Sequence, residues 1–337
     1  MHQGFGRVVN GRRMQTIGFG LSVAMITVLG GCSSMEQGSQ SPAQRSETST
    51  SRSTKGWELT ADNTGLRSVG LECAKLAAYT GPTDVPAGTR IVEQRISTTV
   101  NLSQGDIVIE RSCIQPTQAD RGMPVVGTTN YNTMTPVSGK VIIRDSEFDG
   151  SRLKTQDAAM VAAFIGLADL TNNYVHDFGS GIALMNTGER LSSTIEHNFV
   201  ANLVAWGDGA TTGNHSDAFT VRDFDAQRNP QRTLDIRNNR FDCDSGNDTG
   251  ALFIQTYAGR IDNVNVEGNL LEGGGYQLGL NEANNPYSNV RSVDNRFEGS
   301  GYGPAYVQGG TGWNAWQDNF LHDAAQPDAR GAAVPSP

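Results

Sequence analysis

A short pattern of apolar and polar positions recurs along the chain between residues 107 and 321. Two apolar residues in alternate positions precede one small polar residue, which is followed by any residue and then another apolar one. Alternating residues of a strand point to opposite faces, so the pattern predicts a short, half-buried strand on each side of the polar residue. The recurring polar residues are Ser112, Ser146, Asn173, Asn198, Asn239, Asn269, Asn295 and Asn319.

The spacing of these polar residues indicates the type of repeat. Successive members lie 34, 27, 25, 41, 30, 26 and 24 residues apart, which fits a constant unit lengthened by loop insertions. This unit is typical of one coil of a parallel β-helix, whose coils must stack because none buries its own apolar face alone. We therefore predict an all-β fold, a parallel β-helix of about eight coils over residues 101–325. A β-sandwich is the alternative, but it does not require one motif to recur in phase.

The asparagines are predicted to occupy an inward corner of each coil. There each amide can hydrogen-bond backbone groups of the next coil, which gives a ladder with the two serines at its start. A second strand is predicted after each corner. Its apolar pairs are Ile182 and Leu184, Phe219 and Val221, Leu252 and Ile254, Leu278 and Leu280, and Ala305 and Val307.

The two ends of the repeat differ from it in composition. Residues 57–100 lack the motif and are predicted to form an N-terminal cap and a first strand, with a short helix or irregular cap near residues 71–76. A cap is expected because the open end of a β-helix exposes strand edges and core. Residues 326–337 are rich in Ala, Pro and Gly, which predicts a disordered tail.

Residues 1–31 are predicted to be a signal peptide. Arginines without acids precede the apolar run 16–29, which is too short for a transmembrane helix. The run ends in Leu-Gly-Gly-Cys, which resembles the bacterial lipobox and implies a lipid anchor at Cys32. A plain secretory signal with an incidental cysteine is the alternative. Residues 32–56 are rich in Ser, Thr and Gln and are predicted to be a flexible tether, so we expect an extracytoplasmic protein anchored to the cell membrane or envelope.

Composition and charge exclude some functions. The net charge is -9, whereas a general nucleic-acid binder needs a basic surface. In an oxidising compartment the cysteines Cys73, Cys113 and Cys243 allow one disulfide. Cys73 with Cys113 is the first choice, because both lie in the N-terminal part. No Cys-x-x-Cys pair occurs, so the sequence gives no support for a cysteine-based zinc site.

Four stretches match motifs of a known group of proteins. They are Gly-Pro-Thr-Asp-Val-Pro-Ala-Gly-Thr at 81–89, His-Ser-Asp-Ala-Phe-Thr at 215–220, Gly-Gly-Gly-Tyr-Gln-Leu at 273–278, and Asn-Arg-Phe with Tyr-Gly-Pro at 295–304. They resemble secreted bacterial proteins, common in actinobacteria, with a right-handed parallel β-helix of the pectin-lyase-like type. The resemblance implies the fold and does not fix an activity. Thr220 stands where the group has Gln, and the catalytic signatures of β-helix galacturonidases and pectate lyases are absent.

The longest insertion, between the fourth and fifth ladder positions, carries the candidate catalytic residues His215, Asp217 and Arg222. Strict alternation points His215 and Asp217 inward with Phe219, whereas a bend turns them outward, and the sequence leaves both open. In a lyase, Arg222 would neutralise a uronate and His215 would act as base, held in one tautomer by Asp217. In a hydrolase, Asp217 would need a second carboxylate, for which the candidates are Asp208, Asp223, Asp244 and Asp248.

Outward positions of the second strands are candidates for a sugar-binding surface. Alignment of the strands by their apolar pairs places Gln255, Asn281 and Gln308 in one column and Phe253 and Tyr306 in the other. Amide groups hydrogen-bond hydroxyls, and aromatic rings lie against sugar faces.

Together these features predict a surface-anchored lipoprotein that binds a polysaccharide and cleaves it as a lyase or glycoside hydrolase. The alternative is a non-catalytic carbohydrate-binding or envelope scaffold, so enzyme activity stays open. We expect a monomer whose partners are a polysaccharide and, through Cys32, a membrane. No cofactor is indicated, although the oxygens of Asp242, Asp244 and Asp248 leave Ca²⁺ open. His176, Asp177 and His197 are interpreted as loop and surface residues.

Overall fold

The computed structural model describes residues 54–299, 301–326 and 330–337. The predicted signal peptide, the lipidation residue Cys32 and almost all of the predicted tether lie outside the described residues. Within them the chain forms three parallel sheets of ten, eight and nine strands, which are the three faces of a parallel β-helix. No helix in this part of the chain is long and apolar enough to span a membrane.

Each complete coil contributes one strand to each sheet, and incomplete coils at the two ends account for the unequal strand numbers. The three sheets are numbered here. Sheet 1 holds the strands after the ladder corner, Ala77–Ala78, Gln94–Ile96, Cys113–Ile114, Glu147–Asp149, Tyr174–His176, Phe199–Ala201, Arg240–Asp242, Leu270–Glu272, Arg296–Glu298 and Phe320–Leu321. Sheet 2 holds Val100–Asn101, Pro124–Gly127, Ala162–Ile165, Ser180–Leu184, Ser216–Val221, Asp248–Gln255, Tyr276–Asn281 and Gly303–Gln308. Sheet 3 holds Arg90–Val92, Ile107–Glu110, Val141–Arg144, Asp169–Thr171, Ser193–Glu196, Leu234–Arg237, Ile261–Glu267, Tyr287–Val293 and Ala315–Gln317.

The predicted asparagine ladder is confirmed at the corner between sheet 3 and sheet 1. Asn239 donates from Nδ2 to Asn269 Oδ1 and to the Ile195 carbonyl, both at 2.9 Å. Its own Oδ1 accepts from the backbone and side-chain nitrogens of Asn198. The pattern repeats from Ser112 to Asn319, so each buried amide satisfies groups in adjacent coils.

A left-handed residue precedes every ladder position. Its φ lies between +48° and +67°, a conformation that Asn, Asp and Gly tolerate best. This residue turns the chain through the corner so that the next side chain points inward. The eight residues are Arg111, Asp145, Asn172, His197, Asn238, Gly268, Asp294 and Asp318.

The core is the column of inward side chains from all three sheets. The predicted apolar pairs of sheet 2 are buried, although the last pair, Ala305 and Val307, is only partly so. Phenylalanines from different sheets stack in this core; the ring centroids of Phe219 of sheet 2 and Phe241 of sheet 1 are 5.0 Å apart. Apolar burial of this kind is the main stabilising contribution to a stacked repeat.

The N-terminal segment, residues 54–75, runs as a strap along the ladder corner, whereas the sequence predicted an end cap and first strand over residues 57–100. Lys55 pairs with Asp294 at 2.8 Å, and the Gly65 backbone N–H donates to the Asn172 carbonyl. The segment includes the 3-10 helices Gly56–Glu58 and Cys73–Lys75 and the α-helix Gly65–Ser68. A second α-helix, Thr155–Ala159, lies within one coil and connects its sheet 1 strand to its sheet 2 strand. The first coil is already formed by strands between residues 90 and 101, before the predicted boundary.

The predicted disulfide between Cys73 and Cys113 is confirmed, with Cα atoms 5.3 Å apart. It joins the end of the strap to a strand of sheet 1. Cys243 is a free, buried thiol. The disulfide stabilises the fold mainly by restricting the unfolded chain, in which it closes the loop between Cys73 and Cys113.

Residues 330–337, predicted as part of a disordered tail, pack on the last coil. Trp316 Nε1 donates to the Val334 carbonyl at 2.8 Å, and Val334 N donates to the Asn319 carbonyl. Val334 is buried. The physical reason is that the last coil offers unpaired backbone groups, which this segment satisfies.

Arg232 is fully buried and joins two loops that leave sheet 2. Its guanidinium lies over the Phe224 ring, 3.7 Å from the centroid. Burial lowers its pKa to about 10, and nearby carboxylates oppose that shift. Its donors are used by the carbonyls of Thr187, Gly188, Leu191 and Asp225.

We expect Arg232→Met to destabilise the fold by about 3–5 kcal/mol, because four carbonyls lose their partner inside the protein. Denaturant unfolding of the variant measures this. Arg228→Met is the control, because Arg228 is exposed and pairs only with Glu189. Equal stability of the two variants would contradict the role given to Arg232.

Candidate functional site

The orientation of Asp217 follows from a break in the strand alternation. Ala218 and Phe219 are consecutive residues, yet both are fully buried in the core. The strand pairing is irregular at Ser216 and Asp217, where the register shifts. Asp217 is thereby turned to the outer face of sheet 2, which resolves the orientation that the sequence left open.

Arg222 is the centre of the polar contacts on this face. Its Nη1 donates to Gln255 Oε1 at 2.6 Å, and its Nη2 donates to Asp217 Oδ2 at 3.3 Å. The guanidinium also lies 5.4 Å from the ring centroid of Tyr257. The residue is only partly exposed, so these contacts hold one orientation of the guanidinium.

Asp217 is a carboxyl with an unusual protonation equilibrium. Burial raises its pKa to about 6, and the positive charges of Arg222 and His215 lower it only in part. Its Oδ1 is buried and has no hydrogen-bond partner. An unsatisfied buried oxygen disfavours the charged form, so the carboxyl holds a proton in mildly acidic solution.

This raised pKa predicts a pH-dependent stability. The folded state binds the proton more tightly than the unfolded chain, whose Asp pKa is about 3.9. The contribution of Asp217 is therefore most favourable below about pH 4 and is lost as the pH rises to about 6, by about 2–3 kcal/mol. Urea unfolding of the wild type and Asp217→Asn across this range measures the difference, which should vary with pH. A constant difference between them would contradict the assignment.

His215 is exposed and does not hydrogen-bond to Asp217. The predicted pairing of His215 with Asp217, which would hold His215 in one tautomer, is therefore wrong. Asp217 pairs with Arg222 instead, because the outward turn at Ser216 brings the carboxylate beside the guanidinium. His215 remains near enough for its charge to lower the pKa of Asp217.

The predicted outward columns are confirmed by the strand register. Gln255 pairs with Asn281, which pairs with Gln308. In the other column Phe253 and Tyr306 flank a glycine and meet edge to face, with ring centroids 5.6 Å apart.

Two glycines leave the space that these rings fill. A Cβ on Gly279 would lie 2.5 Å from the Tyr306 ring and 2.9 Å from Phe253. A Cβ on Gly250 would lie 2.2 Å from the Phe253 ring. Larger residues at these positions would displace the aromatic side chains, so the glycines shape the outer face.

The exposure of the predicted sugar contacts differs from the expectation. Gln255, Asn281 and Phe253 are at most 7% exposed, although they point outward. Neighbouring side chains cover them, including Arg222 and Tyr306. Burial raises the pKa of Tyr306, and the amides of Gln255 and Asn281 partly oppose this. These buried residues therefore support the surface, whereas Gln308 is exposed on it.

Three tyrosines of this face were not among the residues predicted from the sequence. Tyr257 is half exposed, and Tyr302 is 84% exposed. Tyr276 lies between Tyr302 and Tyr306, with ring centroids 5.7 and 4.7 Å from theirs. Their signal in the sequence was one tyrosine just outside or at the start of each of three second strands, which the alternation of apolar pairs does not reveal.

Three of the carboxylates predicted as the second catalytic group beside Asp217 accept hydrogen bonds from backbone N–H groups instead. Asp223 accepts the backbone N–H groups of Asn186 and Thr187. Asp208 and Asp248 each accept backbone N–H groups within their own loops. These bonds shape loops, so none of the three forms an evident pair with Asp217.

Asp244 lines a separate acidic cavity together with Asp242 and Asp248, the residues left open for Ca²⁺. Glu272 and Glu298 complete its acidic lining, and Glu272 is held in a two-bond pair with Arg240. Burial raises the pKa of Asp242, so a negative charge is disfavoured there.

His176, interpreted from the sequence as a loop residue, lies buried in a strand of sheet 1. It is bonded to Asp177 and Glu147. His197 is also mostly buried, because its Nε2 contacts the Thr54 carbonyl of the strap. The sequence did not reveal these contacts, since they join residues of different coils or of the strap.

Comparison of the chain with protein-family models, curated proteins and solved structures finds no match. The resemblance to pectin-lyase-like proteins therefore stays a prediction beyond the parallel β-helix itself. The candidate site rests on the geometry of sheet 2 alone.

Proposed function

We propose that the chain binds a carbohydrate polymer along the outer face of sheet 2 and cleaves it beside Asp217 and Arg222. The observation that carries the proposal is a group of aromatic rings beside a column of polar side chains, in which Tyr257, Tyr302 and Gln308 are exposed and the buried Phe253, Gln255 and Asn281 support them. The rings are Phe253, Tyr257, Tyr276, Tyr302 and Tyr306, and the polar groups beside them are Arg222, Gln255, Asn281 and Gln308.

The shape of this surface favours a polymer over a small ligand. It extends over four adjacent strands, and neighbouring strands lie about 4.8 Å apart, so it spans about 15 Å. Exposed rings such as Tyr257 and Tyr302 offer apolar faces for sugars. Amide and guanidinium groups suit hydroxyl and carboxylate oxygens.

The chemistry proposed at the centre is proton donation by Asp217. Its raised pKa keeps a proton available in mildly acidic solution, as a glycosidic leaving group requires. Arg222 would bind an acidic group of the polymer. The lyase mechanism has less support, because the exposed His215 lacks the carboxylate partner that would orient it as a base.

A non-catalytic binding scaffold is the second candidate. It is favoured by one observation, namely that the loop carboxylates Asp208, Asp223 and Asp248 are held by backbone N–H groups. A hydrolase needs a second carboxylate or an activated water near the proton donor.

Product analysis separates these functions. The chain would be incubated with acidic and neutral polysaccharides, with and without Ca²⁺, and assayed for reducing ends and for the ultraviolet absorbance of unsaturated uronates. Reducing ends without absorbance are expected for the proposed hydrolase. A gain in absorbance would indicate a lyase and return His215 to the role of base. Binding without either product would favour the scaffold.

The cellular location is also a proposal. A lipid anchor at Cys32 would hold a monomeric domain at the extracytoplasmic face of a membrane, with the polymer as its other partner. Its support is the apolar run that ends in Leu-Gly-Gly-Cys and the serine-rich segment after it.

A further inference from the structure

A compact group of metal-ligand side chains lies on sheet 1, separate from the strands of the proposed polymer site. Glu147, Asp149 and His176 each offer one ligand atom, and these atoms all lie within 4.8 Å of one another. His176 Nε2 is 3.1 Å from Glu147 Oε1. The group is built by two neighbouring strands, in which His176 pairs with Asp149.

The imidazole is oriented by a fourth residue. Asp177 Oδ2 lies 2.6 Å from His176 Nδ1, so Nδ1 carries the proton of that bond and Nε2 faces Glu147 and Asp149. A carboxylate that fixes the tautomer in this way is the usual neighbour of a metal-bound histidine. The Tyr174 ring stacks on the imidazole at 4.3 Å and limits its rotation.

The charge of the group calls for a cation. Three carboxylates surround one imidazole, and the nearby Arg67 is itself bonded to Asp62, so negative charge remains in excess even when the ring is protonated. Asp149 is almost fully buried, and its oxygens receive only neutral donors, Gln115 Nε2 at 2.6 Å and the Ser151 backbone N–H at 2.8 Å. Excess charge in a shielded site is unfavourable unless an ion compensates it.

We propose that His176 Nε2, Glu147 and Asp149 bind a divalent transition-metal ion of the zinc class. Such ions take nitrogen and carboxylate oxygen at about 2.0–2.2 Å in a tetrahedral arrangement, and water completes a three-residue set. The ion would occupy the space of the proton between His176 and Glu147. The nitrogen ligand disfavours Ca²⁺, which prefers about six to eight oxygens.

The test uses the tag-free full chain, purified without metal, and titrates Zn²⁺ in competition with a chromophoric chelator. We expect a single saturable site that excess Ca²⁺ does not displace, and a higher melting temperature with Zn²⁺. Glu147→Gln and Asp149→Asn keep the side-chain shapes and should weaken Zn²⁺ binding at least about tenfold. His176→Ala should abolish it.

The matched control is His197→Ala, because His197 also lies beside a carboxylate, 3.7 Å from Glu196. This variant should bind Zn²⁺ as the wild type does. No saturable binding by the wild type would overturn the proposal. Unchanged affinity in both Glu147→Gln and Asp149→Asn would overturn it too, and these two variants decide the question even where His176→Ala fails to fold.

Discussion

Replacement of Asn239 by alanine is expected to destabilise the fold by about 4 kcal/mol or more. The side chain lies in the middle of the ladder, fully buried, and makes hydrogen bonds with Ile195, Asn198 and Asn269. Alanine leaves donors and acceptors of two adjacent coils without partners, and each such group costs about 1–3 kcal/mol. A loss of this size approaches the whole stability of many domains. Denaturant unfolding followed by circular dichroism measures it.

Asn284→Ala provides the control for this substitution. Asn284 is exposed, and its side chain donates a single bond, to the Tyr257 carbonyl at 3.2 Å. Its replacement should change stability by about 0.5 kcal/mol or less. If the two variants unfolded at the same denaturant concentration, the ladder would not have the stabilising role described.

Asp217→Asn is expected to lower the rate of polymer cleavage by about 10²–10⁴-fold, the usual contribution of a general acid. The amide keeps the shape of the side chain and a contact to Arg222 but carries no transferable proton. In the wild type, kcat/KM should fall as the pH rises through about 6, because the donor is then deprotonated. Rate measurements from pH 4 to 8 test both expectations.

Asp235→Asn is the matched control, because Asp235 lies on sheet 3 and its carboxylate is bonded by Asn265. It should cleave at the wild-type rate. Cleavage by Asp217→Asn at that rate would remove Asp217 from the reaction. A wild-type rate that rises above pH 6 would point to a base in place of an acid.

The fold was predictable because every coil of a β-helix needs the same pattern of inward and outward residues, so the pattern repeats along the sequence. Inward alternation, the ladder residue and its spacing are local features, and they identified the ladder and the buried pairs of sheet 2. The strap was not predictable, because Lys55 and Asp294 are far apart in the chain and their contact leaves no periodic signal. Arg232 was missed for a related reason, since its partners are loop carbonyls that any residue carries.

The candidate site was predictable only in part. The outward columns followed from strict alternation, which holds from Leu252 onward in the strand Asp248–Gln255 and from Phe219 onward in the strand Ser216–Val221. Alternation failed just before it, where Ala218 and Phe219 both face the core, and this break decided the direction of Asp217. Burial also depends on neighbours in other coils, so Gln255 was predicted as a sugar contact although Arg222 and the rings cover it.

The central claim, that the outer face of sheet 2 binds a polysaccharide, is tested most directly by native electrophoresis in gels that contain single polysaccharides. Wild type would be compared with Arg222→Ala and with Arg237→Ala, which loses the same charge from sheet 3. At least one polysaccharide should retard the wild type and Arg237→Ala, whereas Arg222→Ala should bind at least about tenfold more weakly. Equal retardation of all three proteins, or of none across a broad panel, would contradict the claim.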